Sequence, residues 1–356
     1  MKRRSAGFSD NNIILFAEAE VATSIFSTHS TMFSTFSTEF STQNTMNKIF
    51  LPVITGPTAS GKTALAVELA LQIGGEVVSA DSMQVYRDMA IATAQPTEDD
   101  KRGVPHHLIG FLDPREPFSV ANYTKLAEQT IAEINGRGVV PILCGGTGLY
   151  IDSLLSGMSF AEEYAFDEKF RAELRREAAE FGNHHVWKKL LAVDEEYALA
   201  LHENNLNRVI RALELVHHSK MTATEVRKKS LTNTQKYEFV KFAVNFAPRE
   251  ILYERVNERV RLMFQSGLLQ EAEQFFEKYE NAPTAAQAIG YKELKPYFLG
   301  NSSLETCSLN LMQATRNYAK KQLTWFRRDK CTVWLESEKT IEMCGKVTQI
   351  VVSKIG

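Results

Sequence analysis

The stretch Gly56-Pro57-Thr58-Ala59-Ser60-Gly61-Lys62-Thr63 constrains this chain more than any other. It matches G-x-x-x-x-G-K-[ST], in which backbone N–H groups cradle phosphate. An apolar run (residues 50–55) precedes it and a helical pattern (64–73) follows, so the setting is strand, loop, helix. Gly56 and Gly61 permit the tight backbone. The N–H groups from about Ala59 to Thr63 point inward at a helix N-terminus, where the dipole favours an anion. Lys62 supplies a point charge to the outer phosphate. The Thr63 hydroxyl suits Mg2+, a hard cation that shares phosphate oxygens.

The rest of the chain fits an α/β fold around that loop. Further strand candidates are 76–80, 107–112, 139–145 and 240–247, with helical stretches between them such as 120–135. Strands alternating with helices predict a parallel sheet flanked by helices, a phosphate-loop type of core. One stretch breaks the alternation. From 160 to 230 no strand is found, and 167–181, 186–191, 195–202 and 206–218 read as helices, with Asp167 and Asp194 as caps. The expected organisation is therefore a core in two parts (46–159 and 240–356) interrupted by an all-helical insertion (160–239). The second part holds helices at 251–280 and 309–328 and a late strand near 332–335. Residues 1–45 differ, because Phe-Ser-Thr recurs four times with neither helical amphipathicity nor turn grammar, and they read as disordered. Met46 stands before the first strand, which leaves room for an upstream translation start as the source of that extension.

Two further segments sit where chemistry is expected. Ser79-Ala80-Asp81-Ser82-Met83-Gln84-Val85-Tyr86 follows an apolar strand, which places Asp81 beside the phosphate loop at the carboxyl end of the sheet. Spacing leaves Asp81 three readings: general base, water-mediated holder of Mg2+, or helix cap. Val139–Tyr150 is a buried strand ending in Gly145-Gly146-Thr147-Gly148. Gly145 and Gly146 allow close approach to the backbone, and Thr147 puts a hydroxyl at a helix start, although a capped turn would look the same. Cys144 reads as a core residue.

Net charge is −2, yet cationic residues are segregated. Residues 204–230 hold Arg208, Arg211, Lys220, Arg227, Lys228 and Lys229 against two acids, and 315–330 hold Arg316, Lys320, Lys321, Arg327, Arg328 and Lys330 against one. The second stretch interleaves Tyr318, Trp325 and Phe326, a pattern that suits RNA. Such segregation on a nearly neutral chain favours a polyanionic partner over a merely solvated face. Arg255 and Arg259 lie four apart on one helical face, with Glu254 and Glu258 available to pair with them. The histidine pairs at 106–107, 184–185 and 217–218 lack metal-ligand company and read as structural or exposed. Four scattered cysteines without C-x-x-C argue against a disulfide framework or zinc. No apolar stretch is long enough for a membrane span, and Glu18 and Glu20 interrupt the only N-terminal apolar run.

Together these segments resemble the tRNA dimethylallyltransferase family. The motifs run in order as GPTASGKT (56–63), DSMQVYR (81–87), PHHL (105–108), GGTGLY (145–150), NRVIRALEL (207–215), AIGYKEL (288–294) and TRNYAKKQLTWFRRD (315–329). The resemblance covers about 48–335. It implies transfer of a dimethylallyl group from dimethylallyl diphosphate to N6 of the adenosine just 3′ of the anticodon. The 56–63 loop and Mg2+ would then hold a diphosphate leaving group, with Thr63 on the metal and Arg259 as a further diphosphate contact. Asp81 matches the family's base, and Thr147 matches a threonine beside the reaction channel. The adenine would have to leave its stack. Asp81, Ser82, Met83, Gln84, Asn207, Arg208, Val209, Ile210, Arg211, Arg316, Lys320 and Arg327 would contact the anticodon stem-loop. The resemblance also implies a bacterial-type, cytoplasmic monomer. Two departures stand out: the family often has Gln before Arg208, where Asn207 stands here, and Gly and Lys where this chain has Ala92 and Gln95.

Two other classes share some of these features. A small-molecule or nucleotide kinase would use the loop, Lys62, Thr63 and an acid such as Asp81 to bind and turn over ATP, but it leaves GGTGLY and the basic helix unexplained. An RNA-binding protein with a relic phosphate loop would bind tRNA and form no product.

Overall fold

The computed structural model describes residues 48–157, 167–230, 236–246, 248–279, 282, 284–336 and 339–355. The 1–45 extension falls outside them, as does the side chain of Arg227. The described residues begin with β1 (Ile49–Thr55), α1 (Lys62–Ile73), β2 (Glu76–Ser79), the single turn α2 (Glu98–Lys101), β3 (His106–His107), α3 (Val120–Gly136), β4 (Pro141–Gly145) and α4 (Gly148–Leu155). A helical run follows: α5 (Glu168–Phe181), α6 (Asn183–Val193), α7 (Glu195–Leu199), α8 (Leu206–Ser219) and α9 (Ala223–Ser230). It returns through β5 (Tyr237–Asn245), α10 (Arg249–Gln265), α11 (Leu268–Lys278), α12 (Tyr291–Phe298), α13 (Leu304–Phe326), β6 (Val333–Glu336) and α14 (Thr340–Ile355).

The six strands form one parallel sheet in the order β3-β2-β4-β1-β5-β6. β1 sits near the centre, with Val53 opposite Leu143 on one side and Lys241 on the other. From Leu51 to Thr55 it is buried on both faces, as parallel strands covered by helices require. Leu51 and Val53 join Tyr123, Ile131 and Leu154 of α3 and α4, while Ile54 joins Leu65 and Leu69 of α1 and Val347 and Val351 of α14. A second core packs α10–α13 against residues 85–92, with the Phe275 and Tyr291 rings stacked at 4.3 Å between centroids. Helices α5–α9 enclose a core of their own, including Leu174, Val186, Leu190, Val209 and Leu213. Asp167 and Asp194 cap α5 and α7 by accepting from Phe170 N–H and Tyr197 N–H.

Several boundaries differ from the sequence reading. The strand expected over 107–112 shrinks to two residues, because Leu108 and Gly110 take left-handed φ of 62° and 63°. The amides of Gly110, Phe111 and Leu112 then bond the carbonyls of Gln84 and Val85 instead of a neighbouring strand. The helix expected over 251–280 breaks at Ser266-Gly267, where Gly267 (φ 100°) starts α11. β5 begins earlier than expected, at Tyr237. The helix α14 was not anticipated at all. Its apolar residues Met343, Cys344, Val347 and Val351 complete the core over α1.

Candidate active site

The 56–63 loop leaves the carboxyl end of β1 and enters α1 at Lys62. Gly61 adopts φ 85°, and Ala59, which has a side chain, adopts φ 62°. A left-handed alanine costs about 1–2 kcal/mol, so neighbours must hold it there. Two long-range bonds do so. Arg255 Nε donates to Ala59 O (2.9 Å), with its guanidinium over the Phe246 ring, and Thr58 N–H donates to Gln322 Oε1 (2.8 Å). Ser60 N–H bonds Pro57 O at 3.3 Å. The amides of Ala59, Gly61, Lys62 and Thr63 have no protein acceptor among the described residues, so they are available to an anion at the start of α1. The Ser60 hydroxyl is also buried without a partner.

Lys62 and Arg259 line the same cavity as Thr58, Thr63 and Asp81. Burial lowers both cations below their ordinary pKa, and for Lys62 the nearby Arg259 adds to the effect. Neither forms an ion pair within 4 Å among the described residues. Two desolvated like charges facing one cavity would be relieved together by an anion there. The cavity measures about 480 Å3, and its wall continues into apolar side chains: Val260, Met263, Leu268, Ile289 and Leu311. One cavity therefore offers cationic donors and an apolar lining.

Asp81 follows β2. Its Oδ1 accepts from Met83 N–H (3.0 Å) and Gln84 N–H (3.4 Å), while Oδ2 has no hydrogen bond among the described residues. The carboxylate thus stabilises a turn with one oxygen and leaves the other without a hydrogen bond among the described residues. Ser82, Met83 and Gln84 line the cavity beside it. Thr147 stands at the N-cap position of α4, but its side chain makes no cap bond. Its Oγ1 accepts from Ser82 N–H (3.0 Å) and lies 3.3 Å from Ser82 Oγ. Thr147 therefore meets the site through Ser82 and through Tyr318 on the cavity wall, and the capped-turn reading of its hydroxyl is corrected.

The close approach at the Gly145–Gly148 turn comes from the protein itself. A Cβ on Gly145 would lie 2.2 Å from Ala80 O, one on Gly146 2.3 Å from Gln322 Nε2, and one on Gly148 2.2 Å from the Trp325 ring. Cys144 is buried in the core as expected, and burial pushes its thiol up to about 12.

The expected RNA contacts divide. Asn207 and Arg208 are exposed on α8, as are Lys320 and Arg327 on and just beyond α13. Val209 and Ile210 are buried in the helical core, which corrects their expected contact with tRNA. Arg211 pairs with the buried Glu214, which Arg171 also grips. Arg316 bonds Asn257 and Gln313, so it braces α13 against α10. Gln95, at a departure from the family pattern, turns inward to the carbonyls of Gln84 and Tyr86. The expectation that His217 and His218 lack ligand company is also corrected: Asp167 brings a carboxylate within 4.8 Å of both.

Two residues of the site were missed in sequence, Gln322 and Glu271, and Arg255, read there only as sharing a helical face with Arg259, turns out to bind the Ala59 carbonyl. Glu271 accepts from Ile91 N–H (2.7 Å), Ala92 N–H (2.8 Å) and the Tyr291 hydroxyl (3.0 Å), and so fixes the 92–94 segment of the cavity wall. The signal for Gln322 was an uncharged residue one helical turn from Tyr318 within a basic helix.

These features define a parallel α/β protein with a cationic ligand crevice at the carboxyl ends of its strands. Family models described as "IPP transferase" and "Isopentenyl transferase" match residues 84–329 and 49–109. The tRNA dimethylallyltransferase of Bacillus subtilis is 45% identical over 310 residues, covering 86% of this chain and 97% of its own length. That of Acetivibrio thermocellus is 42% identical over 81% and 91%. Among solved structures, the tRNA isopentenylpyrophosphate transferase of Bacillus halodurans matches with TM-score 0.65 at 38% identity, over 86% of this chain and 97% of that one. A eukaryotic dimethylallyltransferase acting on tRNA matches with TM-score 0.73 at 25% identity, over 86% and 78%. The chain belongs to the tRNA dimethylallyltransferase family of enzymes. Among the described residues, no helix is long and apolar enough to cross a membrane.

Proposed function

We propose that this protein transfers the dimethylallyl group of dimethylallyl diphosphate to N6 of the adenosine immediately 3′ of the anticodon in tRNA, acting as a monomer. The observation that carries the reading is the single cavity that joins Lys62, Arg259 and Asp81 to an apolar wall. An allylic diphosphate has the matching halves, a polyanion and a short hydrocarbon. The free amides of the 56–63 loop, Lys62 and Arg259 hold the diphosphate and stabilise the charge that grows on it as the allylic C–O bond breaks. The donor set also fits a hard cation, since the Thr63 hydroxyl lines the cavity at the start of α1. Mg2+ bound there would neutralise part of the diphosphate charge. The new bond forms between the allylic carbon and N6. The N6 proton passes to Asp81, whose Oδ2 is uncommitted, and diphosphate leaves. Ser82, Met83 and Gln84 meet the incoming base, and Thr147 holds Ser82 in place. Asn207, Arg208, Lys320 and Arg327 present exposed polar and basic groups to the stem-loop backbone.

The test is an end-point assay with Mg2+, labelled dimethylallyl diphosphate and an anticodon stem-loop carrying adenosines at the 3′ edge of the anticodon. Label enters the RNA with the wild type and falls by about 100-fold or more with Asp81→Asn, the scale of a lost general base. Folded protein that hydrolyses ATP and leaves the RNA unlabelled would replace this reading with a kinase.

A further inference from the structure

The 56–63 loop is not held by its own sequence alone. Ala59 sits in a left-handed conformation, and the loop lacks a side-chain cap at the start of α1. Strain of this kind persists only where the surroundings over-determine it. On one flank Arg255 binds the Ala59 carbonyl. On the other, the residue bonded to the loop is Gln322, which is 5% exposed and lies 264 residues further along the chain.

Gln322 makes two bonds of opposite polarity. Its Oε1 accepts from Thr58 N–H at 2.8 Å, and its Nε2 donates to Gly146 O at 2.9 Å. The orientation of the amide is fixed by its partners, because an N–H can only donate and a carbonyl only accept. Neither glutamate nor methionine can satisfy both. Gly146 has no side chain where the amide arrives, since a Cβ there would lie 2.3 Å from Nε2. The same helix continues the seam. Tyr318, one turn earlier, reaches Thr147 and Gln322, and Trp325 covers Gly148. Helix α13 is thus zipped along the 146–148 turn, and among its described side chains Gln322 is the one hydrogen-bonded both to that turn and to the loop.

We propose that Gln322 is a positioning residue that registers the 56–63 loop against the Gly146 turn and so sets the affinity for the diphosphate end of the substrate. Thr58 N–H is committed to this clamp, which leaves the following amides to bind phosphate oxygens. Without the clamp the strained loop relaxes, and those amides no longer converge. The substrate class rests on the function proposed above. The clamp itself is read through diphosphate binding.

The test uses the full chain and inorganic diphosphate with Mg2+ as the probe, followed by calorimetry, with steady-state kinetics alongside. Gln322→Met keeps the length and removes both bonds. It weakens diphosphate binding by about ten-fold or more, as expected for two lost buried hydrogen bonds. The KM for dimethylallyl diphosphate rises in step, and the KM for RNA stays within about two-fold. Gly146→Ala pushes on the same amide from the other side and gives the same pattern. The double variant is no worse than the more severe single one, because both break one clamp. Unchanged diphosphate affinity in folded Gln322→Met overturns the proposal, and so do single losses that multiply in the double variant. If Gln322→Met does not fold, Gly146→Ala decides alone, by loss or retention of diphosphate affinity. A purely structural role lowers the melting temperature and leaves affinity and KM where they were. A wild type that binds diphosphate and transfers nothing refutes the proposed function but leaves this test intact. A wild type that does not bind diphosphate overturns both.

Discussion

A buried ion pair joins α5 to α8, and its removal has a magnitude that can be worked out. The Glu214 side chain is fully buried. It takes a two-pronged bond from Arg171 (2.8 and 2.6 Å), one from Arg211 and one from Asp167 N–H (2.9 Å). Burial alone would raise its pKa, but Arg171, Arg211 and the Asp167 amide outweigh it and hold the carboxyl at about 2. Against an ordinary value of 4.5, that is worth about 3 kcal/mol at neutral pH. Because the folded value lies below the unfolded one, this stability is present above pH 4.5 and is lost as pH falls toward 2. Arg171 is 17% exposed and Arg211 41%. Arg171→Met therefore strands a buried charge and costs about 3 kcal/mol, while Arg211→Met costs about 1 kcal/mol. Trp187 reports on this region, with its indole N–H bonded to Ala198 O and Leu201 O. Labelling the three tryptophans with 5-fluorotryptophan and following the Trp187 fluorine signal through urea titrations, at pH 7 and again near pH 3, isolates the insertion. The gap between wild type and Arg171→Met narrows at the lower pH. Equal costs for the two arginines, or a gap that does not change with pH, would refute the reasoning.

Other expectations follow from the same geometry. Lys62→Ala removes a cation from the diphosphate end and lowers kcat/KM by about 100-fold or more, read by steady-state kinetics. Because burial and Arg259 depress the Lys62 pKa in the free enzyme, diphosphate binding draws a proton onto Lys62 and weakens as pH rises through that lowered value. Calorimetry in buffers of different ionisation enthalpy checks this. Gly148→Ala drives a methyl into the Trp325 ring and costs about 1–3 kcal/mol in thermal or urea unfolding. Alanine at both Lys320 and Arg327 flattens the slope of RNA affinity against log salt by about one per residue and leaves diphosphate affinity unchanged.

The parts of this account that were legible in the sequence are local ones. The 56–63 loop and the caps Asp167 and Asp194 depend on residues a few positions apart, and the structure places them as read. What sequence could not show depends on partners far along the chain. Gly145 and Gly146 read as places of close approach to the backbone, and what approaches them, Ala80 and Gln322, with Trp325 against Gly148, comes from distant parts of the chain. The apolar pattern of 107–112 suggested a strand, and left-handed turns at Leu108 and Gly110 redirected it toward Gln84 and Val85. The burial of Val209 and Ile210 was available from periodicity, since they share a helical face with Leu213. The motif match to an RNA-contacting segment overrode that signal. Helix α14 lies past the last motif, so nothing in the motif series pointed to it.

The central claim is a transfer whose product differs from its RNA substrate at one atom. The direct measurement is nucleoside mass spectrometry of tRNA after incubation with protein, Mg2+ and dimethylallyl diphosphate, with the modified position located by fragmentation. The account predicts N6-(dimethylallyl)adenosine at the single position 3′ of the anticodon with wild type, and unmodified adenosine there with Asp81→Asn. A product at another atom or position, or equal product from Asp81→Asn, would contradict it.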